Sequence, residues 1–298
     1  MPEVPGGLRK TIRGVEKAMK LRILNLGAGV QSTTLALMAK TGEIESFDVA
    51  IFADTQSEPK AVYDHLQWLI REIPFPVLIR TRGDLRNNLR NGLNADGKKY
   101  VSIPAFTGAP GKNLGITRRQ CTREYKIQPI EQAIRRELLG LQPGERIPAT
   151  AQITQVMGLS ADEPGRIAKV KARHASNRWR VEFPLADLEM TRTDCERWLE
   201  SYGIPHITPR SACTFCPYRS DAEWKRMRDD DPESFADAVQ VDLDIRDKAF
   251  RAANCFDDQM WLHRSCTPLG EVDFDRWKDA KGQSLFSFSA ECEGMCGI

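Results

Sequence analysis

The apolar positions of the first eighty residues alternate between two spacings. Residues 21–26 (Leu-Arg-Ile-Leu-Asn-Leu) form a short apolar run that ends in Gly27-Ala28-Gly29, and the stretch from Ser32 to Lys40 has helical spacing; together they predict strand, glycine turn and helix. A second buried strand is predicted over 48–53, a helix over 58–72 and a third strand over 76–81. Strands that alternate with helices at this spacing predict an α/β fold built on a doubly wound, mostly parallel sheet.

Over residues 83–120 the rhythm lapses into a basic insertion punctuated by Gly, Pro and Asn, and a long irregular stretch of this kind is usually functional or mobile. It returns as a helix over 124–139, strands over 151–157 and 180–183, and a helix over 191–202 opened by Thr191 or Thr193. Beyond Pro209 a Cys-bearing turn and Asp-rich segments predict an α-helical C-terminal portion. The expected organisation is an N-terminal extension (1–20), an α/β domain (21–208) that carries the insertion, and a Cys-bearing helical region (209–298).

Composition narrows the class. With 41% hydrophobic and 28% charged residues and no run of 18 apolar positions, the chain is expected to contact no membrane. Residues 1–20 lack the apolar core of a secretory signal, so a cytoplasmic location is expected. Eight Cys in that compartment point to metal or redox chemistry before disulfides. The net charge of +2 conceals a polarity: residues 80–139 hold 13 Lys or Arg against 5 Asp or Glu, whereas residues 221–298 hold 10 against 18.

Three groups of residues suggest chemistry. At the first strand–helix turn, the backbone N–H groups of Gly27, Ala28, Gly29, Gln31, Ser32 and Thr33, with the Ser32 and Thr33 hydroxyls, can cradle a phosphate. No Lys follows the last Gly, and Ser32 breaks the Gly-x-Gly-x-x-Gly pattern, so neither common nucleotide fingerprint applies. Cys121 and the pair Cys213-x-x-Cys216 are soft ligands that suit an iron–sulfur cluster, a zinc ion or a redox dithiol. Cys292 and Cys296 form a second thiol pair near the end of the sequence, Cys195 and Cys255 read as core residues, and Cys266 takes no assignment. Arg118, Arg119, Arg123 and Lys126 surround Cys121 and suit a nucleotide phosphate or a nucleic-acid backbone, to which Arg82, Arg86, Arg90, Lys98, Lys99 and Lys112 would add a track.

The glycine turn, Asp54-Thr55 after the second strand, Cys121-x-x-x-x-Lys126-Ile127-x-Pro129, Gly158-Leu-Ser-Ala-Asp-Glu-Pro-Gly-Arg166, Phe183-Pro-Leu-Ala-Asp-Leu188 and Cys213-Thr-Phe-Cys216-Pro217 occur in that order. Over roughly residues 20–240 this succession resembles the PP-loop ATP pyrophosphatases, in particular the phosphoadenosine phosphosulfate (PAPS) reductase family. The resemblance implies an adenine nucleotide alpha hydrolase-like fold that uses ATP and Mg²⁺. It places the loop residues, Asp54, Asp162, Glu163 and Arg166 at the nucleotide, and Arg118, Arg119 and Arg123 at the substrate. It also implies a 4Fe-4S cluster on Cys121, Cys213 and Cys216, with Lys126, Cys292 and Cys296 as catalytic groups. The implied activity is sulfur transfer through an adenylated intermediate. Its acceptor would be a tRNA, a DNA or a small metabolite, with a cysteine desulfurase as sulfur donor and a homodimer as the assembly. Components of DNA phosphorothioation systems are similar in motif order. The alternatives are a sulfonucleotide reductase that releases sulfite and a noncatalytic nucleotide-binding subunit of a DNA modification or defence complex. The chain departs from the family at Gln31, where an acidic residue is usual, at Gln120, where cluster-bearing APS reductases have a second Cys, and in the tail, where the expected His is missing.

Overall fold

The computed structural model describes residues 20–98, 102–108, 115–175, 179–247, 250 and 259–274. Five strands make one parallel sheet: β1 (Lys20–Leu26), β2 (Val49–Asp54), β3 (Val77–Thr81), β6 (Gln152–Met157) and β7 (Trp179–Glu182), in the order β3-β2-β1-β6-β7. The alternation of strands and helices thus gives the α/β architecture that it predicts. The alternating side chains of β1 and β2 supply both faces. Leu24, Leu26, Ala50 and Phe52 pack with helices α1 (Val30–Thr41), α2 (Lys60–Glu72) and α7 (Arg192–Tyr202), while Ile23, Val49 and Ile51 pack with Ile130, Ile134 and Leu138. Burial on both sides explains why these strands read as nearly continuous apolar runs.

Chain order reverses at β1, with β2 and β3 on one side and β6 and β7 on the other. In open parallel sheets such a reversal opens a crevice beyond the C-terminal strand ends, where ligands bind. The turn at Gly27 leaves β1 at that edge, and Gly158 follows β6 beside it.

The described residues of the insertion form local structure. Asp84 caps α3 (Leu85–Arg90) by accepting from the Asn87 amide at 3.1 Å, and Leu85 and Leu89, one turn apart, are buried. Two short strands, β4 (Phe106–Thr107) and β5 (Gly115–Ile116), join β8 (Met260–Trp261) in an antiparallel sheet. Leu85, Leu89, Ile103 and Tyr125 share a core with Phe215 and Trp224, and with Ala238 and Val241 of α9 (Pro232–Arg246). Arg86 pairs with Asp237 at 2.8 Å and Arg90 with Asp244 at 2.9 Å, so part of the basic middle is neutralised by part of the acidic tail. Arg82 pairs with Asp96. That removes Arg82, Arg86 and Arg90 from the expected polynucleotide track; Lys99 and Lys112 lie outside the described residues.

In sequence, helix α5 (Pro164–His174) connects β6 to β7, and α6 (Pro184–Asp187) and α8 (Asp221–Asp230) follow β7. Among the described residues no helix is long and apolar enough to cross a membrane.

Candidate functional site

The glycine turn is buried throughout, from Gly27 to Thr34. The Ser32 hydroxyl accepts from the amides of Gly27 at 3.2 Å and Gly29 at 3.3 Å, and Ala28 takes a left-handed conformation with φ of 58°. A phosphate that draws on those two amides must therefore displace the Ser32 hydroxyl. Gly158 is needed here: a Cβ on it would lie 2.9 Å from the Ser32 nitrogen and 3.1 Å from the Gln31 carbonyl carbon, both backbone atoms.

Gln31, which departs from the family pattern, is engaged rather than idle. Its side-chain amide donates to the Glu163 carboxylate at 2.6 Å and to the Ser160 hydroxyl. Glu163 also accepts from the Ser160 amide at 3.3 Å and pairs with Arg166. An acidic residue at position 31 would oppose Glu163, whereas the carboxamide donates to it. The structure therefore ties the second motif to the first through Gln31, with Glu163 and Arg166 turned toward each other. Asp162 stands apart, exposed, and accepts from the Arg192 amide at 3.3 Å. Asp54 ends β2 half-buried, and one of its oxygens accepts from the Gln56 amide at 2.8 Å and the Tyr63 hydroxyl at 2.9 Å. Burial and the neighbouring Asp54 carboxylate raise the Tyr63 hydroxyl far above the usual tyrosine range.

Cys121, Cys213 and Cys216 line one cavity, together with Thr55, Arg119 and Lys126. Local hydrogen bonds explain how segments so distant in sequence meet. The Thr214 amide donates to the Ser57 carbonyl at 2.9 Å and the Leu85 amide to the Thr55 carbonyl at 3.1 Å, so the turn after β2 holds both the CxxC turn and α3. The amides of Gln120 and Cys121 both donate to the Ser102 carbonyl, at 2.9 and 2.7 Å. Thr55 Oγ1 lies 3.4 Å from Cys213 Sγ.

The helix that starts at Cys121 is wound as a π-helix over Thr122–Ile127, becomes α4 (Gln128–Gln132), and returns to π over Ala133–Leu138. On an α-helix of 3.6 residues per turn, positions 121 and 126 would face about 140° apart. Bonding from i to i+5, as from the Gln128 amide to the Arg123 carbonyl, stacks residues five apart, and Cys121 and Lys126 line the same cavity.

Lys126 and Glu58 form an ion pair at 3.0 Å with side chains only 5% and 1% exposed, and the Ser211 hydroxyl donates to the other Glu58 oxygen at 3.4 Å. Arg119 lies 5.0 Å from the Tyr218 ring centre. Arg219 donates to the carbonyls of Ala212 and Cys213, both at 3.1 Å. Burial and the like charge of Arg210 hold the Arg219 guanidinium below its usual range, while Cys216, Glu223 and Glu58 act in the opposite sense. Arg118 and Arg123 are exposed and do not line the cavity.

Among the described residues no group of three or more His, Cys, Asp or Glu is gathered tightly enough to hold a metal ion; the three thiols share a wall without forming such a group. Cys195 is buried in the main core, in agreement with its expected role. Cys266 is buried against Phe106 and Trp261, and burial raises its thiol. Cys255, Cys292 and Cys296 lie outside the described residues.

Sequence reasoning missed several members. Glu58, Ser211 and Arg219 carry no motif signal, because each matters only through the partner that folding brings to it. It also missed a chain of hydrogen bonds from α1: Thr33 Oγ1 is 2.8 Å from His65 Nε2, and His65 Nδ1 is 2.7 Å from His206 Nε2. Burial, helped by His206, pushes the His65 imidazole down to about 4. Comparison of the chain with protein-family models and with curated proteins finds no match.

Proposed function

We propose that the protein is a PP-loop enzyme of the PAPS reductase type that splits ATP at the C-terminal edge of its sheet and uses the adenylate to drive sulfur transfer. The observation that carries this reading is the cavity shared by Cys121, Cys213 and Cys216, at the end of β2 and next to the strand that feeds the glycine turn. Thiolates are the soft donors that iron–sulfur clusters use, and Cys121, Cys213 and Cys216, brought closer together than they stand here, would hold three corners of a 4Fe-4S cluster, with the fourth ligand unassigned. When bound it supplies iron for sulfur binding at the cavity.

The remaining chemistry belongs to the chain's own residues and to ATP. A substrate oxygen attacks the α-phosphorus, the bond to the bridging oxygen breaks, and pyrophosphate leaves. A sulfur nucleophile at the sulfide level then displaces AMP, so a bond to sulfur forms as the bond to the AMP oxygen breaks. Backbone amides at the start of α1 oppose the phosphate charge, which is the main catalytic effect expected of this arrangement. Asp54 suits the Mg²⁺ carried by the nucleotide, since only one of its oxygens has a described partner. Glu163 has another role: held by Gln31, Ser160 and Arg166, it braces the loop.

The test is an anaerobic incubation of the iron- and sulfide-loaded protein with ATP and candidate acceptors, assayed for pyrophosphate, AMP and sulfite. Pyrophosphate and AMP in equal amounts are expected. Absence of pyrophosphate with every acceptor would sink the reading, and sulfite from a phosphosulfate would establish a reductase in its place.

A further inference from the structure

Several hydroxyl groups on the helices of this chain find a carbonyl one turn back. Thr34 Oγ1 donates to the Val30 carbonyl at 2.9 Å, Ser201 Oγ to the Arg197 carbonyl at 2.9 Å, and Thr41 Oγ1 to the Met38 carbonyl at 3.1 Å. Such back-bonding is the usual way a Ser or Thr hydroxyl is satisfied inside a helix. Thr122 differs. Its side chain is buried, with the residue 4% exposed, and its hydroxyl has no hydrogen-bond partner among the described residues.

The position of Thr122 explains the difference. It is the first residue of the π-wound turn, and the helix begins only at Cys121, so the carbonyls of Arg118 and Arg119, four and three residues back, precede the helix. A buried hydroxyl left without a partner costs free energy that an apolar side chain of the same shape would not. Thr122 also lines the thiol cavity, with Cys121, Cys213 and Cys216. Two other polar groups of the cavity wall have partners within the protein: Lys126 pairs with Glu58, and Thr55 Oγ1 lies 3.4 Å from Cys213 Sγ. The partner of the Thr122 hydroxyl therefore comes from what fills the cavity.

We propose that the Thr122 hydroxyl donates a hydrogen bond to a sulfur atom of the cluster held by Cys121, Cys213 and Cys216, and so helps to set its reduction potential. The proposal rests on the sulfur-transfer reading above, which supplies the cluster. Sulfide and thiolate sulfurs accept hydrogen bonds and do not donate them, and a hydroxyl rotates to aim its hydrogen at such an acceptor. Thr122 adjoins Cys121 in sequence and moves with it as the thiols close on the metal. A hydrogen bond to sulfur favours the reduced, more negatively charged cluster, and such bonds are among the means by which a protein sets the potential.

The experiment compares wild type, Thr122→Val and Thr122→Ser, each as the full chain, in two states. In metal-free protein, urea unfolding should place the Thr122→Val midpoint at or above that of wild type, because a methyl group replaces a hydroxyl that has no partner. After anaerobic loading with iron and sulfide, a redox titration followed by electron paramagnetic resonance should give Thr122→Val a more negative midpoint than wild type, and Thr122→Ser should return it to the wild-type value. A side chain with a structural role alone would lower metal-free stability when replaced and shift no potential. A lower metal-free urea midpoint for Thr122→Val would show that the hydroxyl already has a partner within the protein and would overturn the proposal. A cluster with one potential in all three proteins would overturn the proposal and leave the sulfur-transfer reading standing. Wild-type protein that takes up no iron and sulfide would overturn both.

Discussion

The glycine turn and the thiol cavity reach the same sheet edge by different means. The turn is contiguous in sequence, and its polar groups are satisfied close at hand: Ser32 takes the amides of Gly27 and Gly29, and Gln31 reaches Ser160 and Glu163. The cavity draws one Cys from the helix after the insertion and two from a turn 92 residues later, and its Lys126 belongs to a buried ion pair. The turn is therefore limited by space and the cavity by charge. A change of volume should harm the first, and a change of charge the second.

The largest effect is expected in the cavity. Lys126→Ala removes the ion-pair partner of the buried Glu58, and removing one partner of a buried ion pair typically costs about 3–5 kcal/mol. Urea unfolding measures it, and a loss below about 1 kcal/mol would place the pair among exposed bridges of little consequence.

Next comes a pH effect behind the turn. The His65 imidazole is lowered from 6.5 to about 4, so between these values the unfolded chain binds the extra proton and the folded chain does not. The stabilisation is complete above the unfolded value and is lost as pH falls toward the folded one. A difference of this size corresponds to about 3 kcal/mol between pH 7 and pH 4. Subtracting the pH profile of His65→Phe from that of wild type should isolate this contribution; superimposable profiles would assign the acid sensitivity elsewhere.

A pair of glycines gives the smallest and sharpest contrast. Gly158→Ala pushes a methyl group against the Ser32 and Gln31 backbone and should cost about 1–3 kcal/mol. Gly165→Ala, in α5, meets nothing within 4 Å and should stabilise by up to about 1 kcal/mol. Equal responses in thermal unfolding would show that the turn is not constrained by space.

How much of this was legible beforehand follows from the same contrast. The strand–turn–helix at Gly27 and the Thr191 cap of α7 depend on neighbours in sequence, so spacing and residue type reveal them. Helix α3 escaped notice because its two leucines sit among Asn and Arg and are buried only by the C-terminal region. The π-winding after Cys121 is equally hidden, since residue pattern alone assumes the 3.6-residue period. Glu58 looks like an ordinary surface residue near the start of a helix until Lys126 and Ser211 are beside it. The basic middle and acidic tail were visible as totals, but only the fold shows that Arg86 and Arg90 are neutralised by Asp237 and Asp244.

The central claim is that cysteines from separate segments serve a single sulfur-handling centre, and metal analysis tests it most directly. Protein purified without oxygen and loaded with iron and sulfide should hold about four of each per chain. Cys121→Ala, Cys213→Ala and Cys216→Ala should each lose most of that content and its visible absorption, while Cys195→Ala should retain both. Zinc in place of iron and sulfide, or full iron in Cys213→Ala, would contradict the account.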